Sequence, residues 1–330
     1  MKAGRTTLSV RAEQLARPLR DNFWKVVEPA LERIEAPALI CASFSDQGLH
    51  TRGSFEAFRR ISSKWRFLYT HRGGKWSTFY SPEALAVQLR FFDCFLKGQE
   101  NGMREAAPVR LEVRSARDTV HEVREERSWP LTGMRWTPLY LGPGALGESP
   151  VQTSATTRFD LRTGRASFAF PVREDLELTG PMKLRLFVEL EGTNDAHLFV
   201  AVRKLRNGRH AVFEGVFGFG YDAVAKGWLR VALRRVDTAN SEAHRPVLQF
   251  DREEPLKPGE IAAVDIELLP SATFFRRGEV LRLDTQGRWF WRRNALFGTF
   301  PGDYAPSPPG TAVLHMGGEH DAHLLVPRTR

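Results

Sequence analysis

The chain has 330 residues and a formal net charge of +9, with 48 Lys and Arg against 39 Asp and Glu. Hydrophobic residues make up 42% and charged residues 26%, a composition typical of a globular protein, so intrinsic disorder is excluded. The 27 Gly follow no period and there are 2 Cys, which excludes a fibre and a disulfide-rich scaffold. Since a domain takes about 100–200 residues, the chain has room for two.

The first predicted elements form a short parallel unit. The nearly continuous apolar run Pro37–Phe44 predicts a strand that is buried on both faces. Phe55 and Phe58 recur at helical spacing and predict a helix, and Lys64–Thr70 predicts a second strand. The order strand, helix, strand indicates two parallel strands joined by a right-handed crossover.

A long helix is predicted over Pro82–Lys97, where it would cover these strands. Ser81 suits the N-cap, Pro82 suits the first helical position and Gly98 suits the C-terminal stop. The apolar stripe of this helix is predicted to consist of Leu85, Leu89, Phe92 and Leu96.

Residues 107–330 show many short segments in which apolar and polar residues alternate, for instance 183–190, 229–233 and 264–268. Such strands, separated by turn residues, are typical of a β-sandwich. The predicted fold class is therefore α/β followed by all-β.

The end of each parallel strand carries a residue that could do chemistry. Asp46 follows the first strand and His71 follows the second, and the carboxyl ends of parallel strands are where ligands bind. An Asp that orients a His, which acts as general base, is the arrangement of serine hydrolases, and Asp before His is the order in α/β-hydrolases. Alternatively, Asp46 caps the next helix and His71 is a solvated loop residue; His50 is a rival base.

Three aromatic residues lie near this pair in the sequence. Phe44 precedes Asp46, and Trp76 and Tyr80 follow His71. They are candidates for an apolar acyl pocket, but they suit equally well the packing of the last helix against the sheet.

Several segments resemble the cocaine esterase / X-Pro dipeptidyl-peptidase family of serine hydrolases. PALICASFSDQGLH, KWRFLYTHRGGKW and FFDCFLKG are similar to the end of the catalytic domain, and RPLRDNFWKVVEPALERI to the segment leading from its helical cap. ELTGPMKLRLFVE and LLPSATFFRRGEVLRL are similar to the C-terminal jelly-roll domain. The resemblance implies that Asp46 and His71 belong to the catalytic triad. It also implies a linker from the cap at 1–36, the end of an α/β-hydrolase domain at 37–106 and a jelly roll at 107–330.

The nucleophile of that family is not found. No Ser of the chain stands in a Gly-x-Ser-x-x-Gly elbow, and we expect 45 residues before Asp46 to be too few for the missing strands. The sequence therefore predicts the C-terminal portion of a serine hydrolase, inactive alone, whose Ser is supplied elsewhere or lost. We expect an ester, amide or peptide substrate, and an N-terminal half or a second copy as partner. A non-catalytic binding or assembly module and an inactive fragment remain alternatives.

Other partners and cofactors are not expected. Arg residues are scattered without blocks of like charge, so solvated sheet faces explain the basic charge better than nucleic acid does, although 287–297 mixes Arg with aromatic residues. The sequence indicates neither a metal nor a cofactor site, and no apolar run reaches the roughly 18–20 residues that span a membrane. Cys41 and Cys94 stand in apolar segments, as in a reducing compartment, so a cytoplasmic protein is expected.

Overall fold

The computed structural model of the protein describes residues 10–48, 50–215, 220–291 and 305–329. The helices in these ranges are α1 (Val10–Ala16), α2 (Asn22–Val27), α3 (Thr51–Arg60), α4 (Lys75–Phe79) and α5 (Pro82–Lys97). Short 3-10 turns occur at Leu31–Arg33 and Val231–Leu233. Among these described helices, none combines the length and the apolar character needed to cross a membrane.

Strands make up most of the ordered structure. They are β1 (Ala38–Ser43), β2 (Arg66–His71), β3 (Val109–Ala116), β4 (Thr119–Glu126), β5 (Arg135–Gly142), β6 (Ala145–Gly147), β7 (Ala155–Asp160), β8 (Ala166–Pro171), β9 (Leu176–Glu191), β10 (His197–Arg206), β11 (Arg209–Ala211), β12 (Phe213–Glu214), β13 (Tyr221–Asp222), β14 (Ala225–Arg230), β15 (Ala262–Phe275), β16 (Val280–Gln286), β17 (Thr311–Met316) and β18 (His323–Arg328).

One sheet of 16 strands runs through the molecule. It begins at β1 and continues through β2 and β3 to β15, and from there β14, β10, β16, β8, β6, β5, β18 and β9 follow in order. Because β9 also pairs with β15, the strands from β15 to β9 close into a ring, and β1, β2 and β3 lie outside it. The protein is thus mostly β, with a closed sheet that carries the parallel strands β1 and β2 at one edge.

The parallel unit is the one expected from the sequence. β1 and β2 pair in parallel, with Ser43 opposite His71 at their carboxyl ends, and α3 connects them. β3 continues the sheet in parallel to β2, with Val109 opposite Leu68. The sheet therefore runs without a break across the boundary predicted between residues 106 and 107.

Helix α5 has the predicted bounds, but its predicted apolar stripe faces solvent. The Ser81 side chain accepts a hydrogen bond from the Ala84 amide, and Gly98 ends the helix with φ at 71°. The helix docks instead through another apolar side, on which Phe91 packs edge-on against Phe67 of β2 at 6.2 Å between ring centroids. The exposed stripe residues are Leu85 (40%), Leu89 (62%), Phe92 (49%) and Leu96 (76%). The expectation that this stripe covers the strands was wrong, because the helix is apolar on more than one side.

Two long strands organise the β-rich part. β9 and β15 pair antiparallel over nearly their whole length, and their register shifts between Leu268 and Ser271. Pro270 lies within this shift, where a residue without an amide donor is tolerated. The predicted alternation holds in β9 and β15, whereas at 229–233 the strand ends at Arg230 and a 3-10 turn follows.

Aromatic side chains join the parallel unit to the β-rich part. Phe44 is fully buried, stacks on Phe55 of α3 at 5.3 Å and lies 6.1 Å from Trp129. Trp129 is in turn 4.7 Å from Phe55. Removing one such side chain from water stabilises a fold by about 2–3 kcal/mol. This cluster therefore fixes β1 and α3 against the segment that leads to β5.

Replacing Phe44 should destabilise the chain strongly. We expect Phe44→Ala to lower the free energy of unfolding by about 3–5 kcal/mol, because it leaves a cavity in this cluster. Leu89→Ala is the matched control and should cost less than about 1 kcal/mol, since Leu89 is 62% exposed. Urea denaturation followed by circular dichroism measures both, and equal losses would contradict the packing described.

Candidate active site

Asp46 and His71 lie at the carboxyl ends of the paired strands β1 and β2. His71 is the last residue of β2, and its carbonyl accepts a hydrogen bond of 2.8 Å from the amide of Phe44. Asp46 lies two residues after Phe44, in the loop that follows β1. Both side chains are buried, with 1% of Asp46 and 4% of His71 exposed. The reading of His71 as a solvated loop residue was wrong, since the surrounding strands exclude water from it.

The Asp46 carboxylate is held by a lysine rather than by a histidine. Lys75 at the start of α4 donates to its Oδ2 atom at 3.1 Å, and His50 Nε2 lies 3.8 Å from the same oxygen. The Oδ1 atom is buried and accepts no hydrogen bond from the described residues. Asp46 also begins the turn into α3, but through its backbone carbonyl, which accepts from the amides of His50 and Thr51.

The His71 ring is neutral at pH 7. Burial lowers its pKa to about 4, against smaller opposing effects of the Glu112 carboxylate and of the Gly73 backbone. Arg110 and Arg114, on the same strand as Glu112, lower this pKa further. The ring atom Nδ1 is buried and makes no hydrogen bond within the described ranges, and no hydrogen bond or ion pair there joins it to Asp46. The loops thus bring one unpaired carboxylate oxygen and one unpaired ring nitrogen to the same sheet edge.

The three aromatic candidates lie in different surroundings. Phe44 belongs to the buried cluster with Phe55 and Trp129, so it packs against α3 and not against the last helix α5, which the alternative interpretation named. Trp76 in α4 and Tyr80 directly after it are 56% and 61% exposed and stack on each other, with ring centroids 6.3 Å apart. Their role in a substrate pocket stays a prediction.

Three buried polar residues beside the pair were not among the site residues predicted from the sequence, although Arg72 was noted as a charge beside His71. Gln47 follows Asp46, Arg72 follows His71, and Glu112 lies on β3. Arg72 is fully buried, and its guanidinium donates to the carbonyls of Ala223 and Val224. Polar residues at strand ends are common, so without knowledge of β3 and the 223–224 segment no sequence signal marks them out.

Within the described residues, no three His, Cys, Asp or Glu side chains are grouped as a metal ion would need. His315, in the histidine-rich C-terminal stretch, instead contacts Glu189 at 2.9 Å through Nε2.

The fold and site together define a mostly-β domain joined to a short parallel unit that presents an Asp and a His. A family model described as the X-Pro dipeptidyl-peptidase C-terminal non-catalytic domain matches residues 101–325. The chain belongs to this family and corresponds to the C-terminal portion of CocE/NonD hydrolases, as the sequence resemblance implied. Asp46 and His71 both precede the matched region.

Known proteins extend the likeness beyond the matched domain. Cocaine esterase from Rhodococcus sp. (strain MB1 Bresler) is 25% identical over 285 residues, which cover 76% of this chain and 47% of the esterase. A CocE/NonD family hydrolase structure from Staphylococcus aureus is 33% identical with a TM-score of 0.92, covering 98% of this chain and 59% of that one. An aminopeptidase from a marine sediment archaeon (Thaumarchaeota archaeon) shares the fold, with a TM-score of 0.69, 16% identity and coverage of 97% and 60%. The chain thus spans about half the length of the cocaine esterase and about three-fifths of the hydrolase.

The buried His71 should make stability depend on pH. Its folded pKa of about 4 lies below the 6.5 of an ordinary His, so the unfolded chain binds a proton here that the folded chain does not. Above pH about 6.5 the contribution of His71 to the free energy of unfolding is fully present. It falls by up to about 3 kcal/mol as the pH drops to about 4.

Denaturation curves of the wild type and His71→Gln across this pH window test the effect. The variant should show a flatter dependence on pH, although burial also lowers the pKa of His210 and His244 and leaves some slope in both curves. Loss of packing alone would shift the whole curve without changing its slope. Parallel curves would therefore contradict a buried neutral His71.

Proposed function

We propose that the chain is the His- and Asp-bearing portion of a serine hydrolase that transfers an acyl group from an ester or amide to water. In this proposal residues 37–106 form the end of an α/β-hydrolase domain, residues 107–330 form its jelly-roll domain, and residues 1–36 link them to a cap. The observation that carries it is the placement of Asp46 and His71, both buried, at adjacent strand ends, where Oδ1 and Nδ1 have no hydrogen-bond partner among the described residues. We keep the expectation of a cytoplasmic protein on the basis of the free Cys41 and Cys94 alone.

The chemistry follows from the protonation states. A neutral His71 can take the proton of an attacking hydroxyl, and Asp46 can stabilise the imidazolium that forms. For this, Nδ1–H must donate to Asp46 Oδ1, which leaves Nε2 facing the nucleophile. Lys75 occupies the other carboxylate oxygen, so the ion pair does not block this bond.

The nucleophile must come from a part that lies beside β1. In the described residues β1 pairs with β2 alone, so its outer edge has unpaired backbone groups. The exposed stripe of α5 adds an uncovered apolar surface. We assign both surfaces to the Ser-bearing portion of a CocE/NonD hydrolase, because the chain covers 59% of the S. aureus relative and the rest of that relative has no counterpart here.

A different role is favoured by one contact. Asp46 pairs with Lys75 and not with His71, and the matched domain is described as non-catalytic. The chain would then be a binding or assembly module, and the parallel unit would serve as its interface. The two functions differ in whether His71 affects turnover.

Labelling with a fluorophosphonate probe tests the missing nucleophile. The purified chain alone should take up no stoichiometric label and should not hydrolyse p-nitrophenyl esters above background, because in this proposal the nucleophilic Ser belongs to another portion of the hydrolase. Stoichiometric labelling of any Ser in this chain would overturn the assignment. Light scattering on the same sample separates a monomer from a homodimer that pairs through β1.

Complementation tests the Asp–His pair. The portion of the S. aureus hydrolase without a counterpart here, fused to this chain, should hydrolyse p-nitrophenyl esters. His71→Gln should reduce that rate by about 10³-fold or more, as loss of a triad His does. His50→Gln is the matched control and should leave the rate nearly unchanged. A fusion that folds and turns over equally with His71→Gln would favour the assembly module.

A further inference from the structure

We propose that the β-rich part sets the separation between Asp46 and His71 through a single backbone carbonyl, that of Val224. The residue after Asp46 and the residue after His71 both donate hydrogen bonds to this oxygen. The inference rests on the proposed function, in which Asp46 and His71 work as a pair. Gln47 and Arg72 are then positioning residues, since neither would touch the reacting atoms.

Gln47 ties the Asp46 loop to this carbonyl. Its side chain is 2% exposed, and Nε2 donates to Val224 O at 3.3 Å and to Phe44 O at 3.2 Å. The amide group therefore bridges the end of β1 and the β-rich part directly beside Asp46.

Arg72 ties the His71 strand to the same carbonyl. Its Nη1 atom donates to Val224 O and to Ser271 Oγ, both at 2.9 Å, and Nη2 donates to Ala223 O. The guanidinium also lies 4.2 Å from the centre of the Phe213 ring. A planar guanidinium presents its donors in a fixed geometry, which a lysine ammonium cannot reproduce.

The peptide group that joins His71 to Arg72 is held as well. The Arg72 amide donates to Glu112 Oε1 at 2.9 Å, and Arg114 Nε donates to the same oxygen at 2.6 Å. The His71 carbonyl accepts from the Phe44 amide. The ring can turn about its own bonds, but its backbone cannot move without breaking a charged hydrogen bond.

The anchor itself belongs to the sheet. The Val224 amide donates to Val202 O of β10 at 2.9 Å. Two residues earlier, Asp222 forms a buried ion pair of 2.6 Å with Lys226 of β14. The position of Val224 O is therefore fixed by the sheet, and the loops after β1 and β2 are both hydrogen-bonded to it. Since a misplacement of about 1 Å can cost about 10²-fold in rate, such a fixed point would matter for catalysis.

Nuclear magnetic resonance of the ring nitrogens tests the proposal on the chain itself, without any hydrolysis. In protein labelled with ¹⁵N-histidine, the His71 signals are those lost in His71→Gln. We expect Arg72→Met and Gln47→Leu each to shift them and to raise the His71 pKa from about 4 by about one unit, because a loosened loop admits water. In Arg72→Lys the His71 signals should lie closer to those of the wild type than they do in Arg72→Met.

Gln47→Leu and Arg72→Lys leave every charge around His71 in place, whereas Arg72→Met removes the charge of Arg72 itself. The remaining charged groups around His71 are unchanged in all three variants. They are Glu112, Arg110 and Arg114 on β3, together with Asp46 and Lys75. The matched control is Arg185→Met, which breaks the two-bond pair with Asp265 on β15 and touches neither loop. It should lower the melting temperature and leave the His71 signals unchanged.

The outcomes separate this inference from the proposed function. The proposal is contradicted if Gln47→Leu and the folded Arg72 variants leave the His71 signals unmoved, or if Arg185→Met moves them as much. The Val224 carbonyl then does not set the separation between Asp46 and His71. If the signals move as expected while the fusion protein is inactive, the positioning holds and the hydrolase proposal fails. If Arg72→Met does not fold, Gln47→Leu and Arg72→Lys decide the result.

Discussion

A guanidinium without water is costly to bury unless its donors are paired. The two terminal nitrogens of Arg72 donate to two backbone carbonyls and the Ser271 hydroxyl rather than to a carboxylate, while its Nε has no partner among the described residues. Burial lowers the pKa of Arg72 to about 10, with Asp222 opposing the effect. Carbonyls at 223–224 can pair with it only if that segment lies in one place. The parallel unit and the β-rich part are therefore rigidly joined at Arg72. Through this contact the family's non-catalytic domain reaches the candidate active site.

Local signals in the sequence were enough to place the elements of the parallel unit. Ser81 and Gly98 gave the bounds of α5, and the apolar runs gave β1 and β2 to within two residues. Pairing was harder to foresee, because β9 meets β15, β17 and β18 through contacts that lie far apart in the chain. The covered side of α5 was also missed, since the period of a helix shows that a side is apolar but not what lies against it.

The candidate site was partly foreseeable for the same reason. Parallel strands end at a common edge, which was enough to predict that Asp46 and His71 follow neighbouring strand ends. The partners of that pair depend on distant segments: Val224 lies 152 residues after Arg72 and 177 after Gln47. The ion pair of Lys75 with Asp46 depends on how α4 leaves its loop, and no spacing rule predicts that.

Among the described strands β1 is paired on one side only, and its open side has a consequence for the protein in a cell. The strand reads Ala-Leu-Ile-Cys-Ala-Ser and carries no charge or proline, the residues by which natural edge strands discourage unwanted pairing. Molecules left with this strand uncovered would adhere to one another in proportion to their concentration and would draw chaperones and proteases. The amount of intact protein would then depend on whether this chain and the portion that covers β1 are synthesised at matching rates.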